Sequence, residues 1–79
     1  MRIVAHIPHP QCKITVFAWN GKYIVKIETD TLEQTYKVSE SDVAGEEALK
    51  KLLDDAFLEG VMKRFAEMDS ALSEALGPF

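Results

Sequence analysis

Metal-type and nucleophilic side chains gather at one place in this chain, His6-Ile7-Pro8-His9-Pro10-Gln11-Cys12. Zinc favours histidine and cysteine at such short spacings, yet a structural site takes four ligands and this cluster offers three. As a nucleophile, Cys12 would need partial exposure and a positive neighbourhood to hold its thiolate. The hairpin register derived below instead places Cys12 on an apolar face and His6 on the opposite one. The acid pairs Glu46-Glu47 and Asp54-Asp55 fall in helical sequence, where adjacent residues diverge by about 100° and do not converge on one substrate atom. They read as solvated helix surface. The chain carries no glycine-rich phosphate loop, no HExxH and no GxSxG. The expectation is a non-enzyme with no catalytic residue, cofactor or metal.

The elements that position these side chains follow from the tetrapeptide Trp19-Asn20-Gly21-Lys22. Asn-Gly supplies the two positive φ angles of a type I′ turn, whose twist matches that of the flanking strands. A two-residue loop there pairs Trp19 with Lys22, Phe17 with Ile24 and Ile14 with Ile27. One face of the hairpin then carries Cys12, Ile14, Val16, Ala18, Tyr23, Val25, Ile27 and Thr29. That set is nearly all apolar and is the expected core side. On the other face Lys13 sits opposite Glu28, an expected cross-strand ion pair.

Two further turns agree with that face. A loop at Asp30-Thr31 adds Leu32, Gln34, Tyr36 and Val38 to the core side, although a longer loop from Asp30 to Leu32 is also open. Upstream, the prolines of Pro8-His9-Pro10-Gln11 break the strand pattern. A four-residue connection there puts Ile3, Ala5 and Ile7 in the core and Arg2, Val4 and His6 outside. Three hairpins sharing one buried face predict a four-stranded antiparallel meander over residues 1–38.

Residues 39–79 read as helical. Ser39 with Asp42 resembles a capping box, with Ser41 and Asp42 as competing caps. Apolar residues recur at Leu49, Leu52, Leu53, Ala56 and Phe57, then at Val61, Phe65, Met68, Leu72, Ala75 and Leu76. The two stripes are centred about a quarter turn apart, so one straight helix would not bury both. Gly60 is the natural break, giving two helices near 46–58 and 60–76 or one kinked helix, stopped by Gly77-Pro78. Leu58 and Met62 widen the apolar arc, which suits contact with a second surface. The predicted fold is a single α+β domain over 1–79, the meander with its C-terminal helices packed on one face.

The outer sheet face leaves something unexplained. Val4, Phe17, Trp19 and Ile24 form an apolar cluster there, ringed by Arg2, His6, Lys13, Lys22, Lys26 and Lys37. A solvated face should be mostly Thr, Lys and Glu, so these residues call for a cover. Val4, Phe17, Trp19, Ile24, Lys13 and Lys26 are therefore the candidate interaction residues. The second helix, a second copy of the chain meeting the same patch across a two-fold axis, or another protein would supply the cover. The alternative is a weak single-stranded nucleic-acid module in which bases stack on Phe17 and Trp19. Overall charge favours protein over nucleic acid, because the net charge is −4. The charge is unevenly spread: five basic against three acidic residues in 1–38, four against ten in 39–79.

Composition bounds the setting. Seventy-nine residues with 47% hydrophobic and 28% charged side chains are ordinary globular usage. The lone Cys12 fits a reducing cytoplasm. Met1-Arg2-Ile3-Val4 leads directly into a strand pattern with no expected signal peptide, and no apolar run approaches a membrane span.

The stretch from Cys12 to Lys26, with Leu32-Glu33-Gln34-Thr35-Tyr36-Lys37-Val38 and Asp54-Asp55-Ala56-Phe57 after it, resembles a family of short bacterial proteins of unknown function. The resemblance covers most of the chain and implies a bacterial, cytoplasmic setting. It brings no activity, ligand or functional residue.

Overall fold

The Asn20-Gly21 turn forms as its sequence requires, with Asn20 at φ 54° and Gly21 at φ 75°. In the computed structural model, which describes residues 1–77, it joins β2 (Lys13–Trp19) to β3 (Lys22–Glu28). The ladder runs Trp19 to Lys22, Phe17 to Ile24 and Ile14 to Ile27, the expected register. A Cβ on Gly21 would meet no atom within 4 Å. Gly21→Val should therefore destabilise through backbone strain alone, by about 1–3 kcal/mol. Urea unfolding with a midpoint equal to the parent's would contradict that.

β4 (Glu33–Ser39) pairs with β3 in the expected register, with Ile27 opposite Gln34 and Val25 opposite Tyr36. Its turn is tied by Thr29, whose amide and hydroxyl both donate to the Leu32 carbonyl, at 2.9 and 3.3 Å. β1 (Arg2–Ile7) completes the antiparallel sheet in the order β1-β2-β3-β4.

β1 departs from expectation at two points. Ile7 pairs with Ile14, so the connection is longer than four residues, but Ala5 and Ile7 keep their core-side facing. Between Ala5 and Ile3 the register shifts at a bulge, and Ile3 pairs with Phe17. A bulge adds one residue to one strand and so reverses the facing of what lies beyond it. Val4, expected outside, packs against the core instead. Ile3 is the residue left exposed, and Arg2 aligns with Ala18 of the core side. Turning Val4 inward buries one more β-branched side chain and twists the edge strand away from regular pairing.

The helices are α1 (Glu46–Leu52) and α2 (Asp55–Leu76), preceded by a 3-10 turn at Glu40–Asp42. None of Ser39, Ser41 and Asp42 caps α1; Gly45, at φ 88°, holds that position. The break lies at Leu53-Asp54, about two helical turns before Gly60, because Asp54 is a stronger punctuation than the glycine. Its carboxylate accepts from the Phe57 amide at 2.9 Å, satisfying a donor that the first turn of α2 would otherwise leave open. Gly60 stays helical, where its missing side chain leaves room for Arg64: a Cβ would stand 3.4 Å from Arg64 Nη1.

Both helices pack on the same sheet face. Leu49, Leu53, Leu58, Val61 and Phe65 join Ile14, Val16, Val25 and Ile27 in one core. A polar clasp holds α2 to β4. Gln34 is buried and donates through Nε2 to the Val61 carbonyl at 2.9 Å. Its Oε1 accepts from the Tyr36 hydroxyl at 2.6 Å and from Arg64 Nε at 3.2 Å. Arg64 also lies 5.9 Å over the rings of Tyr36 and Phe57. The buried amide is thus satisfied, which makes its place in the core inexpensive. No helix among the described residues is long and apolar enough to cross a membrane.

Candidate interaction face

The ladders set the outer face out as cross-strand rows. Ile3, Phe17, Ile24 and Lys37 form one row across all four strands. Trp19, Lys22 and Ser39 form the next, toward the Asn20-Gly21 end. On the other side lie His6, Thr15, Lys26 and Thr35, then Lys13, Glu28 and Glu33. Since α1 and α2 both cover the opposite face, none of these rows lies under a helix.

Burial divides the candidate residues. Ile24 is only 8% exposed and Thr15 3%, because they sit on the two central strands. Long flanking side chains such as Phe17, Lys26 and Lys37 can lie across such positions. Ile24 is therefore buried by its own chain and needs no partner. Phe17 is half-buried, whereas Trp19 and Ile3 are 53% and 55% exposed. Of the candidates, Phe17 and Trp19 remain on an open apolar patch. Lys13 and Lys26 are outward but lie among acids. Lys26 pairs with Glu33 at 3.7 Å; Lys13 aligns with Glu28 without an ion pair between them. The cations beside the patch are Lys22 and Lys37, and neither is ion-paired among the described residues.

Ile3 is the functional candidate that the sequence pattern misassigned. Its strand reads as plain alternation, and only the bulge exchanges its place with Val4.

The His6, His9 and Cys12 cluster does not assemble. His6 is in the ladder opposite Thr15, while His9 and Cys12 line an open cleft of about 490 Å³ in the loops with Lys13, Glu28 and Asp30. His9 Nδ1 accepts from the Gln11 amide at 3.1 Å. Burial pushes the Cys12 thiol up, which favours the protonated form over the nucleophilic thiolate. Among the described residues, no group of three His, Cys, Asp or Glu side chains is placed to hold a metal. A chelator should leave the melting temperature unchanged. A chelator-sensitive melt, or stoichiometric zinc in the purified protein, would contradict this.

A second cavity, of about 250 Å³, opens between β3, β4 and α1 and is lined by Val25, Val38, Leu49, Leu53, Phe57 and Tyr36. Its one polar side-chain group, the Tyr36 hydroxyl, is already engaged by Gln34 and Arg64. Nothing polar remains there to orient a ligand.

Comparison with protein-family models, with curated proteins and with solved structures gives no match.

Proposed function

We propose that this chain is a small non-enzymatic interaction protein that works as a homodimer, with the outer sheet face as its docking surface. The observation carrying the reading is the patch of Ile3, Phe17 and Trp19 on a face that neither helix covers. Large apolar side chains grouped on an open face mark an interaction site far more often than scattered ones do. Aromatic residues are also enriched in the cores of protein contacts. A reducing cytoplasm, as the lone Cys12 suggests, belongs to this reading.

Trp19 is the one tryptophan, so its fluorescence reports on the patch directly. Emission should move to the blue and resist acrylamide as protein concentration rises. A second reading draws on Lys22 and Lys37 beside two exposed or half-exposed rings, the pairing on which single-stranded nucleic acid stacks. It takes over if Trp19 is quenchable at every protein concentration and oligonucleotides protect it in a salt-sensitive way. A quenchable Trp19 in a monomer that ignores oligonucleotides would sink both.

A further inference from the structure

A second apolar surface lies uncovered at the other side of the molecule. Strands of seven residues span about 23 Å, whereas the 22 residues of α2 span about 33 Å. The helix outruns the sheet, and every residue from 69 to 76 is exposed. Leu72 and Leu76, at 42% and 61% exposure, continue the line of Val61, Phe65 and Met68 past the point where the sheet can cover it. Helices draw most of their stability from packing an apolar face, and this tail stays exposed among the described residues.

Its charge is as one-sided as its stripe is bare. Glu67, Asp69 and Glu74 follow Arg64, and no lysine or arginine comes after. At 100° per residue Asp69 borders the stripe while Glu67 and Glu74 lie on the far side of the helix, and of the three Glu74 alone falls in the last turn, at the negative end of the dipole where cations are favoured. The tail therefore suits a surface both apolar and positive. The outer sheet face is that surface, with Ile3, Phe17 and Trp19 beside Lys22 and Lys37.

From this complementarity we infer that the α2 tail of one copy lies on the outer sheet face of a second copy, and the reverse, in a closed two-fold pair. The inference rests on the homodimer reading and specifies its contact. Pressing the two outer faces together would instead join two surfaces that each carry Lys22 and Lys37, and like charges in a contact are unfavourable. Tail on face removes both leftover apolar surfaces from water and sets a tail without cations, with Asp69 at the edge of its stripe, against Lys22 and Lys37. The two-fold makes each contact occur twice and leaves no open end for further growth. Specific interfaces begin at roughly 1,200 Å² of buried surface, and the two-fold doubles whatever one tail-on-face contact buries.

Two variants test it, both altering exposed side chains and both checked for parental melting under dilute conditions. The tail variant is Leu72→Gln with Leu76→Gln, and the face variant is Trp19→Gln with Ile3→Gln. Each alone loses both contacts, so its self-dissociation constant should rise by about a hundredfold or more relative to the parent. An equimolar mixture keeps one intact contact, the tail of the face variant on the face of the tail variant. Native mass spectrometry should then show the mixed dimer well above either homodimer. If the parent dimerises and the tail variant dimerises equally well, the tail assignment is wrong while the homodimer stands. Loss of association in both variants with no mixed dimer overturns the reciprocal contact. A parent that stays monomeric at every concentration removes the homodimer reading and this contact with it.

Discussion

Phe65→Ala should remove most of the stability of this protein, at a cost of about 3–5 kcal/mol. Phe65 is 4% exposed and lies in the core where α2 crosses the sheet. A domain of this length has total stability of only about 4–12 kcal/mol. Truncating the ring removes its transfer free energy and leaves a cavity that the close-packed core around it fills only in part. Leu72→Ala, seven residues along the same stripe, should change the monomer's stability by less than about 0.5 kcal/mol, because Leu72 lies beyond the sheet. The pair therefore maps where α2 leaves its support. Equal losses at the two positions in urea unfolding of dilute protein would show that the helix end is packed against its own chain.

The second large effect is on association. Trp19→Gln should weaken self-association at least tenfold while leaving the fold intact. A tryptophan can bury about 150–250 Å², and 53% of Trp19 is still open in the single chain. Covering the remainder is worth about 2–3 kcal/mol per copy by the usual area coefficient, which more than accounts for a tenfold change. Ile24→Val, by contrast, should leave association unchanged, since Ile24 is already buried within the monomer. Dilution followed by size-exclusion chromatography reads both variants. An unchanged profile for Trp19→Gln would remove the patch from the contact.

The contrast between Ile24 and Trp19 shows where sequence reasoning reached and where it stopped. The strand pairings were legible because Asn20-Gly21 admits one tight turn, and alternation then assigns every side chain of β2, β3 and β4 to a face. Facing is not burial, however. Ile24 and Thr15 point outward yet are covered by their neighbours, which depends on the width of the sheet and not on the pattern of one strand. The bulge at Val4 was not legible at all, since nothing in Arg2-Ile3-Val4-Ala5 distinguishes a slipped strand from a regular one. It changed the candidate site by exchanging Val4 for Ile3.

The helical half divides in the same way. The two stripes imply a break at Gly60; the chain does form two helices, but the break falls at Leu53-Asp54, inside the first stripe. A glycine within a helix costs only about 1 kcal/mol, whereas a capping carboxylate stabilises a new helix start by a similar amount and fixes its position. Asp54, one of an acid pair that the sequence alone places on a solvated helix surface, ends one helix and begins the next. The overhang of α2 was hidden because periodicity continues to Leu76 whether or not a sheet lies beneath it.

Sedimentation equilibrium from low micromolar to several hundred micromolar protein reads the self-association itself. The mass should rise from 8.9 kDa to twice that value and no further, with the Trp19→Gln chain lagging at every concentration. A parent chain that remains at 8.9 kDa throughout, with Trp19 open to quencher, would contradict it.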